Sequence, residues 1–241
     1  MNKLLSLCLL ALSLLLAGCH GDIFPDKITG SGPVVAENRT VSGFSRLDLA
    51  VDADLYLTQG PTSAVRIEAQ QNILDVLETN VSGERLSIGY GRVNVRRHEP
   101  IKIFISTPAL SSVSVSGSGH IIGQNTWRAD KLSISLSGSG SVELSLLGVQ
   151  SLGTDISGSG WVRLAGDAAR YDGHLSGSGA VEAFTLTVQA AEVRMSGSGS
   201  TRLTATQSLY ASISGSGAVY YKGRPALTVH TSGSGRVVDA N

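Results

Sequence analysis

The sequence predicts an all-β fold, a parallel β-helix-like solenoid with coils of about 20 residues, and three observations point to it. Ser-Gly-Ser-Gly occurs seven times, beginning at Ser116, Ser137, Ser157, Ser176, Ser196, Ser214 and Ser232, at intervals of 21, 20, 19, 20, 18 and 18 residues. A near-fixed period of this size marks units that bury their apolar faces only against neighbouring units. Apolar and polar residues alternate on both sides of the tetrapeptide, as in Ile134-Ser135-Leu136 before it and Val142-Glu143-Leu144 after it. Alternation with period 2 is the mark of half-buried strands. Finally, the apolar phase runs unbroken through the motif, from Leu132, Ile134 and Leu136 through Gly138 and Gly140 to Val142 and Leu144.

Read from its start, the chain opens with a leader. Met1-Asn2-Lys3 is a short basic start and Leu4–Leu16 is almost wholly apolar, too short for a comfortable membrane span and laid out like a secretory signal. Leu16-Ala17-Gly18-Cys19 resembles a bacterial lipobox, which implies cleavage before Cys19 and its lipidation; His20 in the next position favours an outer-membrane address. Residues 1–18 are therefore expected to be a lipoprotein signal peptide, and 19–34, with Pro25, Gly30, Gly32 and Pro33, a lipid-anchored tether. Residues 35–241 are expected to be a single solenoid domain without cysteine. Loss of the leader leaves 18 basic against 19 acidic residues, which is no electrostatic footprint for nucleic acid.

Residues 35–108 are less regular. Leu47, Leu49 and Val51, then Leu55 and Leu57, Val65, Ile67 and Ala69, Leu86 and Ile88, and Ile101, Ile103 and Ile105 each alternate with polar neighbours and read as strands. The segment 72–77 reads as one helical turn. Periodicity leaves open whether these strands are further coils or a sheet capping the stack, which a parallel solenoid needs at its end.

In the repeat region, 109–241, the shared phase turns the glycines inward and the serines outward; a plain corner without fixed facing is the alternative. With coils about 4.8 Å apart, Glu143, Arg163, Glu182 and Arg202 form one outer column of alternating charge, read as structural. Asp155, His174 and Arg194 form another, read as a solvated column because no nucleophile accompanies it. The outward serines form the candidate binding face: Ser116, Ser118, Ser137, Ser139, Ser157, Ser159, Ser176, Ser178, Ser196 and Ser198, continuing to Ser234.

Val41-Ser42-Gly43-Phe44-Ser45-Arg46-Leu47, the run Val65–Ala69 leading into Asn72-Ile73-Leu74, and Thr107-Pro108-Ala109-Leu110 before the first tetrapeptide resemble the head GIN domain family of autotransporter adhesins, a domain of unknown function. The resemblance covers nearly all of the mature chain and implies an all-β, solenoid-like fold at the bacterial envelope. It brings no catalytic residues.

Other motifs carry less. The glycines lack the third glycine and the following helix of a dinucleotide fingerprint, and the recurrent aspartate of calcium-binding nonapeptides is absent. His98, His120, His174 and His230 are dispersed, so no metal and no cofactor is expected. Trp127 and Trp161 read as packing residues rather than sugar platforms. The expected function is a non-enzymatic, surface-binding or adhesion lipoprotein, held to the membrane by its lipid, with a glycan, an envelope protein or a second copy as partner and no nucleic acid. A polysaccharide-cleaving β-helix enzyme is the alternative, and it would need acidic and basic groups converging across coils.

Overall fold

The computed structural model describes residues 26–241; the leader and Cys19 lie outside the described residues. Ten strands precede the first tetrapeptide or enter it: β1 Asp26–Ile28, β2 Val34–Arg39, β3 Arg46–Leu49, β4 Asp54–Gln59, β5 Ala64–Gln70, β6 Leu77–Ser82, β7 Arg85–Tyr90, β8 Val93–Val95, β9 Lys102–Thr107 and β10 Ser112–Gly117. A single helical turn, α1 Gln71–Leu74, buries Ile73 and Leu74. The repeats supply β11 His120–Trp127, β12 Lys131–Gly138, β13 Ser141–Gly158, β14 Trp161–Gly177, β15 Ala180–Gly197, β16 Ser200–Gly215, β17 Ala218–Lys222, β18 Ala226–Gly233 and β19 Arg236–Asp239.

The strands coil into a two-faced parallel solenoid. The leading face, made of the segments that enter each tetrapeptide, runs β7, β3, β10, β12, then the second halves of β13 to β16, then β18, all parallel. The trailing face runs β9, β4, β11, the first halves of β13 to β16, then β17 and β19. Inward columns from both faces meet between them: Val113, Ile134, Val162, Val181 and Val193 are all at 2% exposure or less. Burial of each such aliphatic contributes roughly 1.5–3 kcal/mol.

The N-terminal strands do both jobs that their alternation allowed. The β3–β4 coil lies directly against β10–β11, and β7 with β9 forms the next coil outward. Beyond it the direction reverses: β6 pairs antiparallel with β7, and β5 pairs antiparallel with β9 and β2. These antiparallel strands close the N-terminal end. Among the described residues the far end has no such cover, and the core-phase residues Leu227 and Val229 of β18 are 43% and 39% exposed. The tether expected over 19–34 joins the fold earlier than its composition suggests, because β1 pairs in parallel with β8.

Each tetrapeptide is a corner with a fixed facing, so both readings of the glycines contribute. The second glycine of each of the first six copies, such as Gly140 and Gly160, is buried, and a Cβ at Gly160 would stand 2.6 Å from Leu136 Cδ2 of the coil before. The first glycine makes the bend instead, half-buried or exposed, with φ between +103° and +130° in all seven copies.

Candidate functional site

At this corner the first serines pair in unbroken register from Ser116 through Ser137, Ser157, Ser176, Ser196 and Ser214 to Ser232. The bend explains the regularity. The carbonyl of Gly138 accepts hydrogen bonds from the N–H groups of Ser159 and Gly160 at 2.9 and 3.0 Å, and Gly117 and Gly197 do the same for the coils above them. One carbonyl thus holds two donors of the next coil, and the serine side chains on either side are turned out. Ser116, Ser118, Ser137, Ser139, Ser157, Ser159, Ser176, Ser178, Ser196 and Ser198 are all exposed. They flank a bend, so the hydroxyls form two columns along a ridge rather than one flat strip.

The charged columns are also in place. Glu143, Arg163, Glu182 and Arg202 are successive Cα partners on the trailing face. They close as two pairs: Arg163 Nη1 lies 3.3 Å from Glu143 Oε2, and Arg202 bonds Glu182. On the leading face Asp155, His174 and Arg194 share a column. The acid that engages His174 is Asp172, two residues earlier on its own strand, with Oδ1 3.3 Å from Nε2 and 3.6 Å from Arg194 Nη1. Arg194 also pairs with Glu192. Asp172 was legible from its i, i+2 spacing to His174. The group is a solvated cluster in which Arg194 pairs with Asp172 and Glu192, and the Asp172, His174 and Arg194 side chains are each roughly half exposed.

The trailing face also carries an aromatic group that the sequence pattern does not mark. Tyr56 stacks on Phe104 with centroids 5.1 Å apart, and Arg66 lies over the other side of Phe104 at 5.4 Å. These are Cα partners on β4, β9 and β5. They line a cleft of about 680 Å³, together with Thr40, Val41 and Gln124. Further along, Arg163 lies over the half-buried Trp161 at 4.8 Å, Arg202 over Tyr220 at 5.0 Å, and the Lys222 ammonium over Phe184 at 4.9 Å. Trp127 is core, 2% exposed.

One polar pair sits inside the coil stack. Tyr171 Oη and Thr154 Oγ1 are 2.7 Å apart in the core. Burial first, with the nearby Asp172 carboxylate adding to it, pushes the Tyr171 phenol up to about 12 despite the Thr154 hydrogen bond. Among the described residues no three His, Cys, Asp or Glu side chains come together as a metal site, and no helix is long and apolar enough to cross a membrane.

No curated protein matches the chain. Among solved structures it is similar to a "putative adhesin" of Bacteroides fragilis, 28% identical with a TM-score of 0.81 over 87% of this chain and 98% of that one. It is also similar to a "putative lipid binding protein" of Parabacteroides distasonis, at 24% identity and TM-score 0.76 over 90% and 100% of the two chains. A "putative adhesin" of Parabacteroides merdae matches at 23% identity and TM-score 0.71 over the same shares. The family model described as "Putative auto-transporter adhesin, head GIN domain" matches residues 43–225, and the chain belongs to that family.

Proposed function

We propose that this chain is a non-enzymatic module of the bacterial cell envelope, held by a lipid on Cys19 at the outer membrane, that binds a polymeric glycan along its serine corner. The observation that carries this reading is the unbroken register of exposed serines over seven coils. At about 4.8 Å per coil the ridge is roughly 30 Å long, a length suited to many weak contacts whose sum gives avidity. The adhesin descriptions of the family and of two similar structures support binding over catalysis. The Leu16-Ala17-Gly18-Cys19 ending supports the anchor and the envelope address.

A glycan array and a pull-down with the mature domain test the reading, compared with a variant carrying Ser137→Lys, Ser157→Lys and Ser176→Lys. The variant is expected to lose binding while melting within a few degrees of the parent. Undiminished binding would move the function off this corner, and glycan turnover that disappears with His174→Ala would establish the enzyme instead. Mass spectrometry of the mature protein checks the anchor: an unmodified N-terminus at any other position rules it out.

A further inference from the structure

The outward column of the trailing face continues well beyond its four charges. From the N-terminal end it reads Arg66, Phe104, Tyr56, Ile122, Glu143, Arg163, Glu182, Arg202, Tyr220, Val238, each the Cα partner of the next. The central four charges are exposed by a third to a half, and the apolar residues Tyr56, Ile122, Tyr220 and Val238 are half-buried. Aromatic residues and arginine on a surface are the composition of interface cores. The leading face offers mostly serine, aspartate and histidine in the matching column: Asp48, Ser114, Ser135, Asp155, His174, Arg194, Ser212 and His230.

We infer that the trailing face is a homodimer surface, in which two copies meet face to face about a two-fold axis that lies in the interface, parallel to the strands, and passes between Arg163 and Glu182. The order of the column is what selects a second copy. Reversal of Glu-Arg-Glu-Arg gives Arg-Glu-Arg-Glu, so this two-fold sets Arg163 against the second copy's Glu182 and Glu143 against its Arg202. The same operation brings Ile122 to the second copy's Tyr220, and Tyr56 to its Val238. Every contact along the column is then opposite in charge or apolar on both sides. Beside the column, the same two-fold sets Trp161 against the second copy's Ala180.

A slip of one coil destroys the match. An axis through Arg163 would set Arg163 against itself, Glu143 against Glu182 and Arg202 against Ile122, so the central contacts become like-charged or leave a charge against an aliphatic side chain, a penalty that fixes register as well as partner. The eight coils from β4 to β19 span roughly 34 Å, and three outward positions per strand span about 17 Å, so each copy covers about 600 Å² before side-chain relief. Specific interfaces use about 800 Å² per partner, which makes this a reversible dimer. β9, β5 and β2 project past the end of the second copy. The serine corner lies at the edge between the two faces, so this inference does not rest on the glycan reading.

Sedimentation equilibrium of residues 26–241, which hold the whole described fold, tests it in low and high salt. The parent is expected to dimerise at micromolar concentration and to dissociate as salt screens the column. The variant with Arg163→Glu and Arg202→Glu, and its mirror with Glu143→Arg and Glu182→Arg, should each be at least about 10-fold weaker as homodimers. An equimolar mixture should form a heterodimer, which also shows that both variants are folded. A parent that stays monomeric at about 1 mM in low salt, or two variants that do not pair with each other while giving parent-like circular dichroism, would overturn the proposal. Normal dimerisation of the serine-to-lysine variant, with its glycan binding gone, separates the two surfaces.

Discussion

Replacing Gly158 by alanine should cost far more than replacing Gly153, five residues earlier on the same strand. Gly158 has φ +124°, a region that side-chain-bearing residues enter at a cost of about 1–3 kcal/mol. A Cβ there would also stand 2.5 Å from the Gly138 carbonyl oxygen. That oxygen already accepts from Ser159 and Gly160, so relieving the clash separates the coils and weakens two hydrogen bonds worth about 1 kcal/mol each. The sum, about 3–5 kcal/mol, is a large part of the 5–15 kcal/mol that holds a domain together. Gly153 has ordinary φ, and its Cβ would find Ser133 Oγ at 3.9 Å and Asp172 O at 4.0 Å, which is plain van der Waals contact. Alanine there should be neutral or slightly stabilising, because it restricts the unfolded chain. Urea unfolding followed by circular dichroism measures both. A cost below about 1 kcal/mol at Gly158, or equal costs at the two positions, would refute the assignment of the bend to a positive-φ glycine packed on the carbonyl of the coil before.

The same method separates inward from outward columns. Ile134→Asp places a carboxylate in a fully buried site and should unfold the domain, whereas Ser135→Asp, on the neighbouring outward position, should leave a cooperative melt in place. Tyr171→Phe strands the buried Thr154 hydroxyl and should lower stability by about 1–3 kcal/mol, with Thr154→Val added to it restoring much of the loss. The Tyr171 phenol also sets a pH dependence. Its folded value of about 12 lies above the ordinary 10, so its contribution is fully present below pH 10 and is lost as pH rises towards 12. At most about 2–3 kcal/mol is involved. Urea midpoints at pH 8 and pH 11 should fall less steeply in Tyr171→Phe than in the parent, and equal slopes would count against the assignment.

The repeat region was readable because its signals are local. Period gives the coil, alternation gives the strands, and phase gives the inward columns, so Ile134, Val142 and Leu144 could be assigned to the core from the sequence alone. The N-terminal region resisted for the opposite reason. The alternation of β3 and β4 says that each has a buried side, but nothing in it says that their coil sits between β10–β11 and the later β7 and β9. Nor does alternation distinguish β5, which runs antiparallel, from β9, which does not. Three-residue β1 carried too few positions for any period. At the site, the serine columns followed from the repeat, while the Tyr56–Phe104 pair was missed because the two are neighbours only through that reordered stack.

The intervals between tetrapeptides vary from 18 to 21 residues, yet the serines never fall out of register. The difference has to be absorbed elsewhere in each coil. It appears as register shifts between Leu146 and Val149, between Arg163 and Ala165, and between Ala183 and Thr187, all on the trailing face or at the second corner. The two corners therefore behave differently. One carries a positive-φ glycine in all seven copies, with the carbonyls of Gly117, Gly138, Gly177 and Gly197 each holding two donors of the next coil, and the other tolerates insertions. Core packing alone does not call for that asymmetry, since burial of the inward aliphatics is served equally by either corner. Equal spacing of surface groups does call for it. A partner with its own repeat can engage several coils at once only if the contacts recur at a constant interval, and the serine corner is where this chain keeps that interval constant.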